Sequence, residues 1–133
     1  MIGETDLNKL IKSMRAELNI GEYVFCKTAT LQGIDISEVL CMFKETEAIT
    51  LVLKKEIADK WQLPYHYAAA WISLKIHSSL AAVGLTAAFS TALAEQGISC
   101  NVVAAYYHDH IFVDAKDAEK AMEVLRQLSG GNC

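Results

Sequence analysis

Between Trp71 and Leu93 the spacing of apolar residues switches from a strand period to a helix period, and that switch restricts the fold more than any other feature. Ile72, Leu74 and Ile76 share one face of a strand, with Trp71, Ser73 and Lys75 on the other. A loop of small and polar residues runs from His77 to Gly84. Leu85, Ala88, Phe89, Ala92 and Leu93 then form one stripe of a helix. Gly97 stands where a left-handed cap is needed, a conformation that only glycine adopts without steric cost. Strand character returns from Ile98 to Tyr106, His108-Asp109 is a turn candidate, and His110 to Val113 is a second short strand. Asp114 can cap a last helix with Ala118, Ala121, Met122, Leu125 and Leu128 on one face.

The order strand, helix, strand, strand, helix is most of a split βαβ unit. It predicts an α+β, ferredoxin-like fold: antiparallel sheets covered by helices on one face. Such a fold hosts many unrelated activities.

The first half reads less regularly. Thr5 or Asp6 can cap a helix whose stripe is Leu7, Leu10, Ile11, Met14 and Leu18, ending at Asn19-Ile20-Gly21. Tyr23 to Thr28 is a strand, and Thr30 to Ser37 is a loop. Val39 to Phe43 and Ala48 to Leu53 form a hairpin, followed by a short helix from Lys55 to Trp61 that Pro64 stops. Both halves thus end in hairpin then helix, a weak internal duplication. The expected division is residues 1–66, in a permuted or incomplete order, and residues 67–133, fused without a flexible linker.

Composition excludes several classes. A net charge of −4 offers no Lys and Arg footprint for nucleic acid. No apolar run is long enough for a membrane span, and the N-terminus lacks the pattern of a secretory leader. Cys26, Cys41, Cys100 and Cys133 are widely spaced, as expected of reduced thiols in a cytoplasmic protein. Ile49, Leu51, Val52 and Leu53, like Val102 to Ala105, break strict alternation and call for cover on both sheet faces. The expectation is a symmetric homodimer.

The stretch VGLTAAFSTALAEQGISCNVV resembles the loop-helix-strand segment of ACT domains, with Gly84, the helix from Leu85, and Gly97-Ile98 in the family's places. The family's turn usually contains Pro-Gly; this chain has Ala82-Val83-Gly84 there. The longer pattern, from His77 to Val113, is similar to a group of short stand-alone proteins with two ACT-like halves. The resemblance implies a non-enzymatic regulatory module that binds a small molecule, an amino acid, without a cofactor. With no catalytic domain in the sequence, its output is expected to pass to another protein.

In a split βαβ sheet the first and third strands are central and antiparallel. One rim should therefore gather His77, Ser78, Ser79, Val83, Gly84, Leu85, Asn101 and the His108-Asp109-His110 turn. Helix-start amides around Val83, Gly84 and Leu85 suit a carboxylate, and Asp109 suits an ammonium group. Other readings of the same residues stay open. His77, His108, Asp109 and His110 are ordinary metal ligands. Ser78 or Ser79 with His77 could form a nucleophile and base, although no orienting acid is identifiable. The His108-Asp109-His110 turn could simply bond locally, in a module that works by protein interaction without ligand.

Overall fold

The computed structural model describes residues 6–76 and 83–130. They form two compact units that are not consecutive in the chain: residues 6–20 join residues 70–130, and residues 21–69 stand as the other.

The first unit opens with α1 (Leu7–Ser13), capped by Asp6, whose Oδ1 accepts from the amides of Asn8 at 3.0 Å and Lys9 at 3.3 Å. The apolar stripe of the sequence extends to Leu18, but the helix does not. Arg15–Leu18 is a strand, β1. Met14, Ala16 and Leu18 fit an alternating period as well as a helical one, and sheet pairing decides between them. β1 lies antiparallel to β5 (Ala68–Lys75), with Arg15 opposite Lys75 and Leu18 opposite Ile72. The unit also contains α3 (Leu85–Glu95), β6 (Asn101–Ala104), β7 (Asp109–Asp114) and α4 (Ala118–Leu128). Its strand order is β1-β5-β7-β6.

One core fills this unit. It takes Leu10 and Met14 from the N-terminal segment, Ile72, Leu74 and Ile76 from β5 and its end, and Leu85, Phe89 and Leu93 from α3. Ile111 and Val113 of β7 and Ala121, Met122 and Leu125 of α4 complete it. The helices therefore cover one face of the sheet, as the α+β pattern requires. α3 ends in a Schellman motif. Gly97 has φ +73°, its amide bonds Ala94 O at 2.9 Å, and the Ile98 amide bonds Leu93 O at 3.0 Å, while Ile98 and Leu93 pack in the same core.

Several boundaries differ from the sequence reading, β5 among them, which begins at Ala68 and not at Trp71. β6 covers only the middle of the expected Ile98–Tyr106 strand. Its pairing with β7 runs from Asn101↔Phe112 to Ala104↔Asp109, so Asp109 opens the strand instead of sitting in the turn. The turn is Tyr106-Tyr107, closed by the Ala105 amide on His108 O at 3.1 Å. Asp114 does cap, but first a 3-10 turn (Ala115–Asp117), through the Lys116 amide at 3.1 Å.

The second unit has β2 (Tyr23–Thr28), β3 (Val39–Lys44), β4 (Ile49–Lys54) and α2 (Lys55–Lys60). β4 lies between β3 and β2, and Ala68 and Ala69 at the start of β5 pair with Val24 and Tyr23. Val24, Cys26, Leu51, Leu53 and Ala58 are its core, with Leu31, Ile34 and Trp61 packed against them. Where a split βαβ unit has its first helix, this unit has a loop with a 3-10 turn (Ile36–Glu38) capped by Asp35. Leu31 and Ile34 of that loop bring apolar cover to the core in the helix's place.

Candidate functional site

The candidate residues of the first unit belong to three chain segments: the end of β5, the start of α3 and the start of β7. His108 anchors two of them. Its Nδ1 lies 3.3 Å from the Ile76 amide nitrogen and 3.4 Å from Ile76 O, so either tautomer finds a backbone partner at the end of β5.

Gly84 is the N-cap of α3 with φ +96°, and as glycine it has no side chain with which to cap the first amides of that helix. A Cβ on Gly84 would stand 3.1 Å from Leu7 Cδ2, so glycine is required here both by backbone conformation and by the approach of α1. Val83 is exposed, whereas the Leu85 side chain is in the core and leaves only its backbone to the rim.

Asp109 and His110 are neighbours in the chain but lie on opposite faces of the sheet. Asp109 alternates with Ile111 and Val113, which face the helices. Burial pushes the Asp109 carboxyl above the ordinary 3.8, against the opposing pull of His110 and His108. Among the described residues its side chain has neither a hydrogen bond nor an ion pair.

His110 faces the other way, into a polar network. Trp71 Nε1 donates to its Nδ1 at 3.0 Å, and Ser73 Oγ is 3.2 Å from the same atom. Asn19 Nδ2 donates to Ser73 Oγ at 3.0 Å and to Trp71 O at 3.2 Å. Burial lowers the imidazole pKa from 6.5, reinforced by His108 and Lys75 and opposed by Asp109. Ser73 is buried, and its satisfied bonds explain why a polar group is tolerated there.

Of the residues expected on one rim, Val83, Gly84 and Leu85 stand at the start of α3, and His108, Asp109 and His110 at the start of β7. Asn101 sits at the far end of the hairpin, opposite Phe112, with Nδ2 3.4 Å from Phe112 O. His77, Ser78 and Ser79 lie outside the described residues, and with them the nucleophile-and-base reading. Among the described residues no group of three or more His, Cys, Asp or Glu side chains is placed to hold a metal ion. Asp109 and His110 are adjacent in β7 and face opposite sides of the sheet, so they do not converge on one ion. Cys26, Cys41 and Cys100 are free thiols whose pKa values burial pushes up, which disfavours the reactive thiolate.

Asn19 reads in the sequence as a helix terminus, which gives it no place among the candidate residues. Its signal is the alternation Met14, Ala16, Leu18, which turns the segment into a strand and carries Asn19 alongside Trp71.

Family models described as ACT domains match residues 2–70 and residues 67–127. The chain belongs to the ACT-domain family. This ACT-domain protein is also similar to a crystal structure of a protein of unknown function from Vibrio cholerae, titled a possible transport protein. The two are 44% identical, over 92% of this chain and 95% of that one, with a TM-score of 0.84. An Agrobacterium tumefaciens protein is 16% identical over 87% of this chain and 89% of its own, with a TM-score of 0.66. The ligand-free regulatory subunit of aspartate kinase from Thermus thermophilus is 13% identical over 85% of this chain and 95% of its own, with a TM-score of 0.63. At such identities the likeness is one of fold. Among curated proteins none matches. No helix among the described residues is long and apolar enough to cross a membrane.

Proposed function

We propose that this ACT-domain protein is a non-enzymatic regulatory module that binds an amino acid at the rim of its first unit and acts on another protein in the cytoplasm. The observation that carries the reading is Asp109: a half-buried carboxylate without a hydrogen-bonding or ionic partner among the described residues. An ammonium group would supply that partner. Asp109 lies on the helix-facing side of the sheet, as does α3, whose N-cap Gly84 supplies no capping side chain and whose first amides carry the positive end of the helix dipole. Those amides, around Val83, Gly84 and Leu85, would receive a carboxylate. The two ends of a zwitterion are thus matched by chemistry of opposite sign. Family membership and the fold shared with an aspartate kinase regulatory subunit support the regulatory role.

The test is a thermal-shift screen over the common amino acids, followed by calorimetric titration of the best one. At a hundredfold excess over Kd, ligand adds about 2.7 kcal/mol of stability. Asp109→Asn keeps the shape and removes the charge, and should weaken binding by about 1–3 kcal/mol. Gly84→Val is a poor probe, since it strains the backbone and meets Leu7 with or without ligand. Failure of every amino acid to stabilise the protein would exclude the reading and favour an interaction module. We also propose a homodimer, because the edge strand β3 leaves Phe43 70% exposed.

A further inference from the structure

We propose that the sheet face of the first unit turned away from its helices binds a small anion, held by Arg15, Lys75 and His110. Register places the three groups. Ala16 and Leu18 of β1 pack against the core, so Arg15 and Glu17 face the other way, with Arg15 directly opposite Lys75 and Glu17 opposite Ser73. His110 shares that face through its bonds to Trp71 and Ser73. Arg15 and Lys75 are exposed. Like charges directly opposed on an antiparallel pair repel, and neither Arg15 nor Lys75 has an ion pair among the described residues. Glu17 faces the cluster and forms no salt bridge with either cation.

The network behind His110 determines what it presents. An indole N–H can only donate, so the 3.0 Å bond from Trp71 Nε1 requires a bare lone pair on His110 Nδ1. The neutral ring then carries its proton on Nε2. That N–H has no acceptor among the described residues. Asn19 holds Ser73 and the Trp71 carbonyl in place, so the ring is fixed from behind. Two unpaired cations and one oriented donor, without a basic oxygen bonded to any of them, complement a carboxylate or phosphate oxygen.

The charged groups around His110 are Lys75 on β5, His108 and Asp109 on its own strand and turn, and Arg15 and Glu17 on β1; its partner on β6, Val103, is uncharged. A second proton on the imidazole adds positive charge to the site. Anion binding should therefore tighten as pH falls below the ordinary imidazole value of 6.5.

The anion site uses none of Val83, Gly84, Leu85 or Asp109, so its outcome is separable from that of the amino-acid site. The experiment is to follow the His110 ring signals of the full chain by NMR while titrating inorganic phosphate and, separately, acetate. The same titrations are run on Lys75→Gln and Arg15→Gln. Expected are a saturable shift in the wild type, tighter acetate binding in mild acid, and roughly tenfold weaker binding in each variant with a melting temperature unchanged or raised by the relieved repulsion. A response to phosphate alone or to acetate alone supports the site and identifies its anion. Absence of a saturable shift with both, or equal affinity in wild type and variants, overturns it.

Discussion

Protonation of His110 at Nδ1 removes the lone pair on which Trp71 and Ser73 converge, and Asp109 titrates with the opposite consequence for stability. The folded imidazole has a pKa below 6.5, so the unfolded chain binds its proton first. Stability from His110 is complete above 6.5 and is lost as pH falls through the depressed folded value. The Asp109 carboxyl has a folded pKa above 3.8, so the folded chain binds that proton first. Its penalty is absent below 3.8 and develops as pH rises through the raised folded value. Asp109→Asn should therefore raise the neutral-pH melting temperature of the ligand-free protein and lose that advantage in acid. His110→Gln should flatten the decline just below 6.5. Urea denaturation across pH checks both, and parallel pH profiles for wild type and variants would contradict the assignment. Gly97 offers a purely conformational case, since a Cβ added there would meet nothing within 4 Å. Gly97→Ala should cost about 1–2 kcal/mol through its φ of +73°, measured by thermal denaturation.

At the scale of elements, helix ends carry the clearest sequence logic. α3 and α2 close with the same hydrogen-bond pattern, yet α2 places Gln62, φ 59°, where α3 has Gly97. The Leu63 amide still reaches Ala58 O at 2.9 Å, so the motif forms with a strained residue in it. Gln62→Gly should stabilise the protein by up to about 1 kcal/mol, the relief of left-handed strain less the added chain entropy of glycine. A lower melting temperature would mean that the glutamine side chain makes a compensating contribution. The segment from Leu7 to Leu18 shows the reverse situation: its stripe is ambiguous, and pairing with β5 converts its second half from helix to strand.

For the whole molecule, the N-terminal segment departs furthest from the order of the chain. Residues 6–20 precede the second unit in sequence but bury Leu10 and Met14 in the core of the first. Both units end in hairpin then helix, as the sequence pattern indicates, while their remaining strands are recruited differently. Edge strands and Phe43 remain to be covered. A dimer in solution is the expected outcome, read by light scattering across concentration; a monomer throughout would remove the homodimer from the proposal.

Local periodicity and glycine chemistry were enough to specify α3, its cap at Gly97, the β6–β7 hairpin, the β3–β4 hairpin and the α+β class, because these depend on residues a few positions apart. The face shared by Trp71, Ser73 and Lys75 was legible for the same reason. What tertiary structure decided is everything that rests on register between distant segments. It placed His110 behind Trp71 and Ser73, turned Asp109 to the helix side, moved Asn101 to the far end of its hairpin, and brought Arg15 opposite Lys75. A shift of one residue in any of those pairings would send each side chain to the other face, and period alone cannot choose the shift.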